Sequence, residues 1–375
     1  AAKKLARASR IAPEFFSKEA LEIICSHFPD RQHGEICISV IQTIGHKSKE
    51  LPETAFQAAL LSLKERKNSD KACSLIGNYI TFNDFDPDID LIDKIVDVQW
   101  HAFESVPRHK YPKYFGSNYA LRLIGQRVPN LLTEVLRLRL KNPEKLIRIN
   151  ASYVLYSLSD IFPDMALSLT DSLINSLDLE DESYYNPHDS ADATTCKILA
   201  AIYAAHPEET QGKIAEGYKS LSSEGKEILF RTYRWIVMGG SKFNDYGQSR
   251  APRFDACIPL IIQPLLQCIS GLAYPIEVKL AALDALGLIK DYYAESLVDH
   301  LDTLLGTLAN LTHEDVIISE KAISTPIESL EKQTLQNQYS RVIRKLRETI
   351  EAVCFIAPDV VFERLIEIIP KLDST

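Results

Sequence analysis

Residues 275–287 read Pro275-Ile276-Glu277-Val278-Lys279-Leu280-Ala281-Ala282-Leu283-Asp284-Ala285-Leu286-Gly287. Apolar residues recur there at the three- and four-residue steps of a helix with one buried face. The small alanines let a neighbouring helix approach closely, while the branched residues fill a shared core. The pattern continues through Leu305, with Ala294-Glu295 opening a second helix. A looser copy stands upstream at Leu146-Ile147-Arg148-Ile149-Asn150-Ala151.

Working outward, the same break between two helices recurs with a proline at its centre. The instances are Leu51-Pro52-Glu53, Val128-Pro129-Asn130, Phe162-Pro163-Asp164, His206-Pro207-Glu208 and Ala357-Pro358-Asp359. Proline suits the first turn of a helix because its missing N–H would have no intrahelical partner there. An acidic neighbour is favoured at the positive end of the helix dipole. Pro129 to Pro163 is 34 residues, Pro163 to Pro207 is 44, and Pro52 to Pro129 is 77, or two shorter steps. Ala294 follows Pro207 by 87 residues, again two steps. Around the breaks, Ala120, Leu121, Leu123 and Ile124 lead into Leu131, Leu132, Val135 and Leu136. Leu155, Leu158 and Ile161 lead likewise into Ala166, Leu169 and Leu173. No segment alternates strictly, so strands are not expected.

The Val-Lys pair before an alanine-rich stretch ending in Leu-Gly resembles the first helix of a HEAT repeat, a family whose helix pairs recur at about 40 residues. The resemblance spans residues 35–310 and 340–373, most closely at 275–305. It implies an all-α fold, a right-handed α-solenoid of stacked antiparallel helix pairs, with about seven to nine pairs in a single solenoid over 1–375. Irregular stretches interrupt it at 81–90, 104–116 and 180–192. A long loop is expected at 238–253 and an inserted connection at 311–338; loops of such length are often functional.

Composition agrees with a folded helical protein. Of 375 residues, 46% are hydrophobic, 25% charged and 14 are glycine, and glycine costs a helix about 1 kcal/mol relative to alanine. The net charge of −9 argues against a protein that grips phosphate backbones, which shows a basic excess on at least one face. The cysteines number seven, an odd count without the spacing of zinc or redox motifs, and read as buried reduced thiols of a cytoplasmic protein. No apolar run reaches the roughly 18 residues of a membrane span. Position 1 is alanine and Met165 and Met238 are the two methionines, so the chain reads as a piece of a longer polypeptide or a processed one.

Catalysis is not expected. The sequence holds no serine elbow and no paired-histidine metalloprotease helix, and Gly239-Gly240-Ser241-Lys242 lacks the upstream glycine and preceding strand of a phosphate loop. Its histidines form no acid–base set with nearby carboxylates. Asp84, Asp86, Asp88, Asp90 and Asp93 suggest a calcium loop, but Ile89 and Ile95 occupy the places of its glycine and bidentate glutamate; capping of the next helix is the favoured reading. His188, Asp189, Asp192 and Cys196 are a weaker metal set, read instead as a helix start. No cofactor is implied.

Binding is the expected function, with a protein partner ahead of nucleic acid and no membrane. Three basic stripes stand at helical spacing: Arg137, Lys141 and Arg148; Arg231 and Arg234; Arg341, Arg344 and Lys345. Stacking could align such residues into one strip, whereas glutamates such as Glu134, Glu227 and Glu348 could neutralise each stripe locally. Aromatics near irregular segments are Tyr111, Tyr114, Phe115, Tyr184, Tyr185, Phe243 and Tyr246. Tyrosine, tryptophan and arginine are enriched at interface hot spots, so the partner contact is expected at Arg231, Arg234, Trp235, Phe243, Tyr246, Arg250 and Arg253. Two other readings follow from the resemblance: a nucleic-acid-binding solenoid like the HEAT-like DNA-repair glycosylases, and a regulatory or sensor region of a larger enzyme.

Overall fold

A computed structural model of the chain describes residues 2–11, 18–27, 34–48, 50–65, 69–105, 116–177, 191–239, 252–271, 274–311, 329–360 and 362. Among the described residues there is no strand. The chain divides into two compact units, Ala1–Ser176 and Leu177–Thr375.

The first unit contains α1 (Ala2–Ile11), α2 (Lys18–Ser26), α3 (Gly34–Ser48), α4 (Glu53–Glu65), α5 (Ser69–Phe82), α6 (Ile89–Ser105), α7 (Gly116–Arg127), α8 (Pro129–Leu140), α9 (Lys145–Leu158), α10 (Pro163–Ser168) and α11 (Thr170–Ser176). Helices pack on the helix two places along. The succession α1, α3, α5, α7 and α9 forms one layer, and α2, α4, α6 and α8 form the other. The second unit contains α12 (Ala191–Ala205), α13 (Pro207–Ser220), α14 (Ser223–Gly239), α15 (Ile258–Ser270), α16 (Ile276–Tyr293), α17 (301–311) and α18 (Ser329–Ile356). There α12, α14, α16 and α18 pack in succession. Packing of alternate helices is the signature of stacked repeats, and the fold is an all-α solenoid.

Three of the proline breaks are one-residue joints between the two helices they separate. Val128, Phe162 and His206 have nearly the same backbone, with φ/ψ of −133°/62°, −126°/66° and −136°/69°. A residue preceding proline is driven out of the helical region, so one residue suffices to end one helix and start the next. Each also closes both ends. Val128 N–H donates to Ile124 O at 2.7 Å while its carbonyl accepts from Leu132 N–H at 3.2 Å. Phe162 and His206 repeat this, donating at 2.8 Å to Leu158 O and Ile202 O. Ala357 N–H donates in the same way to Val353 O at 3.0 Å, and a helical turn resumes at Pro358.

Behind the turns the core is continuous. Leu121, Ile124, Leu132, Leu136, Leu155, Leu158, Ala166, Leu169 and Leu173 are completely buried. Leu123 is half-buried and Leu131 is exposed, so the apolar stripe is narrower than the sequence suggested. A Cβ placed on Gly125 would lie 2.7 Å from the Phe162 ring, so glycine is what lets the next turn pack against α7. The copies of the repeat motif match in burial: Arg148 is 4% exposed and Lys279 1%.

Two elements depart from the pattern. The helix expected after Pro163 breaks at Leu169, whose N–H donates to Ala166 O at 3.0 Å, and Thr170 Oγ1 turns back onto the same carbonyl; hydroxyl side chains compete in this way with helical bonds. The Ala294-Glu295 opening begins as a 3-10 turn, Ala294–His300, before α17. Of the expected inserted connection, 312–328 lie outside the described residues, while 329–338 are the first turns of α18. Of the expected long loop, 240–251 lie outside them; 238–239 complete α14 and a 3-10 turn covers Pro252–Cys257.

Candidate functional site: a charged cleft across α14, α16 and α18

Helix α14 buries Leu229, Phe230, Tyr233, Ile236 and Val237 and leaves Arg231 and Arg234 exposed one turn apart. Behind them Tyr233 donates to Gln211 Oε1 at 3.0 Å and meets Tyr203 edge to face. Burial raises the Tyr233 hydroxyl far above the usual tyrosine range, so it stays a protonated donor within the packing beneath the face. Arg231 Nη2 donates to Glu227 Oε1 at 2.6 Å. Trp235 is half-buried, with Lys197 of α12 4.5 Å from its ring centroid. That cation occupies an aromatic face the sequence had offered to a partner.

Because α16 packs against both α14 and α18, it carries the floor of the site. A cleft of about 320 Å³ is lined by Glu227, Arg231, Arg234, Glu277, Leu280, Ala281, Asp284 and Arg341. Lys345, one turn after Arg341, is bonded to Asp284. Arg344 reaches Glu348 at 3.9 Å. Arg234 and Arg341 are both exposed, and neither has an ion-pair partner among the described residues.

Of the partner-contact residues expected from the sequence, Arg231 and Arg234 line this cleft and Trp235 stands beside them. Phe243, Tyr246 and Arg250 lie outside the described residues. Arg253 falls in the 3-10 turn, its side chain outside the described set. Sequence reading missed Glu277, Leu280 and Asp284, and treated Arg341 as a separate stripe. The alternate-helix rule would have found them, since α14, α16 and α18 occupy successive places in one layer.

The first unit's stripe is put to structural use. Arg148 Nη1 donates to Asn142 O and Pro143 O, each at 2.8 Å, tying α9 to the end of α8. Arg137 is paired with Glu134 at 2.6 Å. Arg139, 9% exposed in its side chain, bridges to Asp93 at 2.6 Å and Asp97 at 2.8 Å on α6.

The acidic connector is likewise built into the fold. Asp88 Oδ1 accepts from Leu91 N–H at 2.8 Å and caps α6, as the capping reading required. Asp84 and Asp86 grip Arg127 at the end of α7. His188 and Asp189 lie outside the described residues, as does the side chain of Asp192, while Cys196 is buried and donates to Ile228 O at 3.2 Å. Six of the seven cysteines are buried and none forms a disulfide. Burial pushes the Cys25 thiol up to about 11, which keeps it protonated and unreactive. Among the described residues no helix is long and apolar enough to cross a membrane.

No family model matches the sequence, and no curated protein matches it. Among solved structures, the chain is similar to importin beta, at 13% identity and a TM-score of 0.33 over 94% of this chain. It spans about half of that protein, 52% of its length. It is also similar to an engineered protein, at 14% identity and a TM-score of 0.31, covering 92% of this chain and 84% of that one.

Proposed function

We propose that this chain is a cytoplasmic scaffold that binds another protein through the second unit, within a larger assembly and without catalytic chemistry or a cofactor. The observation that carries the reading is the pair of exposed arginines, Arg234 and Arg341, on the helices either side of α16 and without an ion-pair partner among the described residues. Their guanidinium groups are open to a ligand, and arginine is favoured at protein contacts. The partner residues proposed are Arg231, Arg234 and Trp235, together with the sequence-based candidates Phe243, Tyr246, Arg250 and Arg253.

Nucleic acid fits the cleft less well, because Glu227, Glu277 and Asp284 line it beside the arginines and repel phosphates. Affinity capture from native extract, with and without nuclease, separates the two. A reproducible protein partner that survives nuclease is the expected result. Co-purifying DNA or RNA, or loss of every partner on nuclease treatment, would overturn it.

A further inference from the structure

The cleft's charges are of two kinds. Arg231 is committed to Glu227, and Lys345 to Asp284. Each pair is a local neutralisation on one edge of the cleft, leaving little field for a ligand. Arg234 and Arg341 are different, since both are exposed and no carboxylate among the described residues pairs with them. Between them the floor is Leu280 and Ala281, and a Cβ added at Gly287, two turns beyond Leu280, would meet nothing within 4 Å. Leu280, half-buried, is thus the apolar point of a floor that Glu277 and Asp284 share on the same face of α16.

We propose that this cleft seats an acidic peptide segment of a partner protein, its carboxylates held by Arg234 and Arg341 and an apolar side chain resting on Leu280. This rests on the scaffold reading and names the partner's chemistry. Arginine's planar fork matches a carboxylate in bidentate fashion. Three features select this occupant. The two arginines, without an ion-pair partner among the described residues, line the cleft from α14 and α18 with Leu280 of α16 as its apolar point, which suits a chain with acidic and apolar residues interspersed. The volume of about 320 Å³ accommodates a few side chains and is too small for a duplex. Glu227 and Asp284 are already neutralised, and Glu277 beside the arginines disfavours a continuous phosphate backbone more than discrete carboxylates placed at the arginines.

The test uses a short fluorescein-labelled glutamate-rich peptide with interspersed leucines, titrated with the full chain and followed by fluorescence anisotropy. Binding should weaken with rising salt, since exposed charges are screened beyond about 10 Å at 0.1 M ionic strength. Arg234→Glu together with Arg341→Glu should weaken it about tenfold or more, while Arg137→Glu leaves it unchanged. Equal binding of the glutamine version of the peptide, or no loss in the double variant, overturns the proposal, as does failure of the acidic peptide to bind. Preference for a single-stranded oligonucleotide overturns it in favour of nucleic acid. A nuclease-resistant protein partner captured equally by wild type and the double variant would leave the scaffold reading standing and remove this cleft from it.

Discussion

Arg139 and Arg148 of the first unit and Arg234 and Arg341 of the second are used in opposite ways. In the first unit, Arg148 is 4% exposed and ties two backbone carbonyls, and Arg139 joins α8 to α6 through Asp93 and Asp97. In the second, Arg234 and Arg341 stand exposed over a cleft with no ion-pair partner among the described residues. Spacing places a cation on a face; burial decides what it does there. A buried guanidinium left without partners costs several kcal/mol, so a residue that finds them, as Arg148 does through Nη1, becomes part of the fold. An exposed one contributes little to stability and stays available to a ligand. Removing the first kind should damage folding, and removing the second kind should damage binding.

The sharpest way to break the comparison is Arg148→Ala. It removes two charge-assisted bonds from a buried guanidinium to the Asn142 and Pro143 carbonyls and should cost about 2–4 kcal/mol in chemical denaturation. Loss below about 0.5 kcal/mol would mean that burial does not separate the two classes. Gly125→Ala tests the repeat packing with no change of charge. The added Cβ meets Phe162 at 2.7 Å, and a cost of about 1–3 kcal/mol is expected, read by the same denaturation curve.

Acid should act on the first unit through Glu53, whose carboxyl is held below the usual range mainly by the Tyr79 hydroxyl, donating at 2.5 Å, and secondarily by the Gln57 amide. A depressed carboxyl stabilises the fold above the ordinary glutamate range and ceases to do so as pH falls through its lowered value. Tyr79→Phe should therefore flatten the acid limb of a stability–pH profile while leaving the slope near neutrality unchanged. The smallest effects belong to the surface. Arg137→Ala, which breaks an exposed pair with Glu134, should change stability by no more than about 0.5 kcal/mol. Arg234→Ala and Arg341→Ala should each do the same, read as thermal midpoints within error of wild type.

Much of the fold was legible because its punctuation is local. Proline after Val128, Phe162 and His206 fixes both the end of one helix and the start of the next, and the three turns share one backbone geometry. The break at Leu169 was not legible, because Ser168, Thr170 and Ser172 lie within an otherwise helical apolar pattern and their competition for carbonyls depends on the final turn. In the cleft, Arg231 and Arg234 were found from spacing on one helix. Glu277, Asp284 and Arg341 were not joined to them, because the cleft's lining residues run from Glu227 to Arg341 in sequence, and nothing within one helix reports its neighbours across a layer. Burial also separated residues that sequence grouped: Arg148 belongs to the fold, although it was placed in a stripe with Lys141, which is exposed.

The central claim is that the arginines over the α14–α16–α18 cleft serve a protein partner and not the fold. The most direct test measures both properties on one variant, Arg234→Glu with Arg341→Glu, by thermal unfolding and by nuclease-treated capture from native extract. The account predicts an unfolding midpoint equal to wild type and loss of the captured partner. A lowered midpoint with the partner retained by the molecules that remain folded would contradict it, and would place these arginines with Arg148 among the residues that hold the solenoid together.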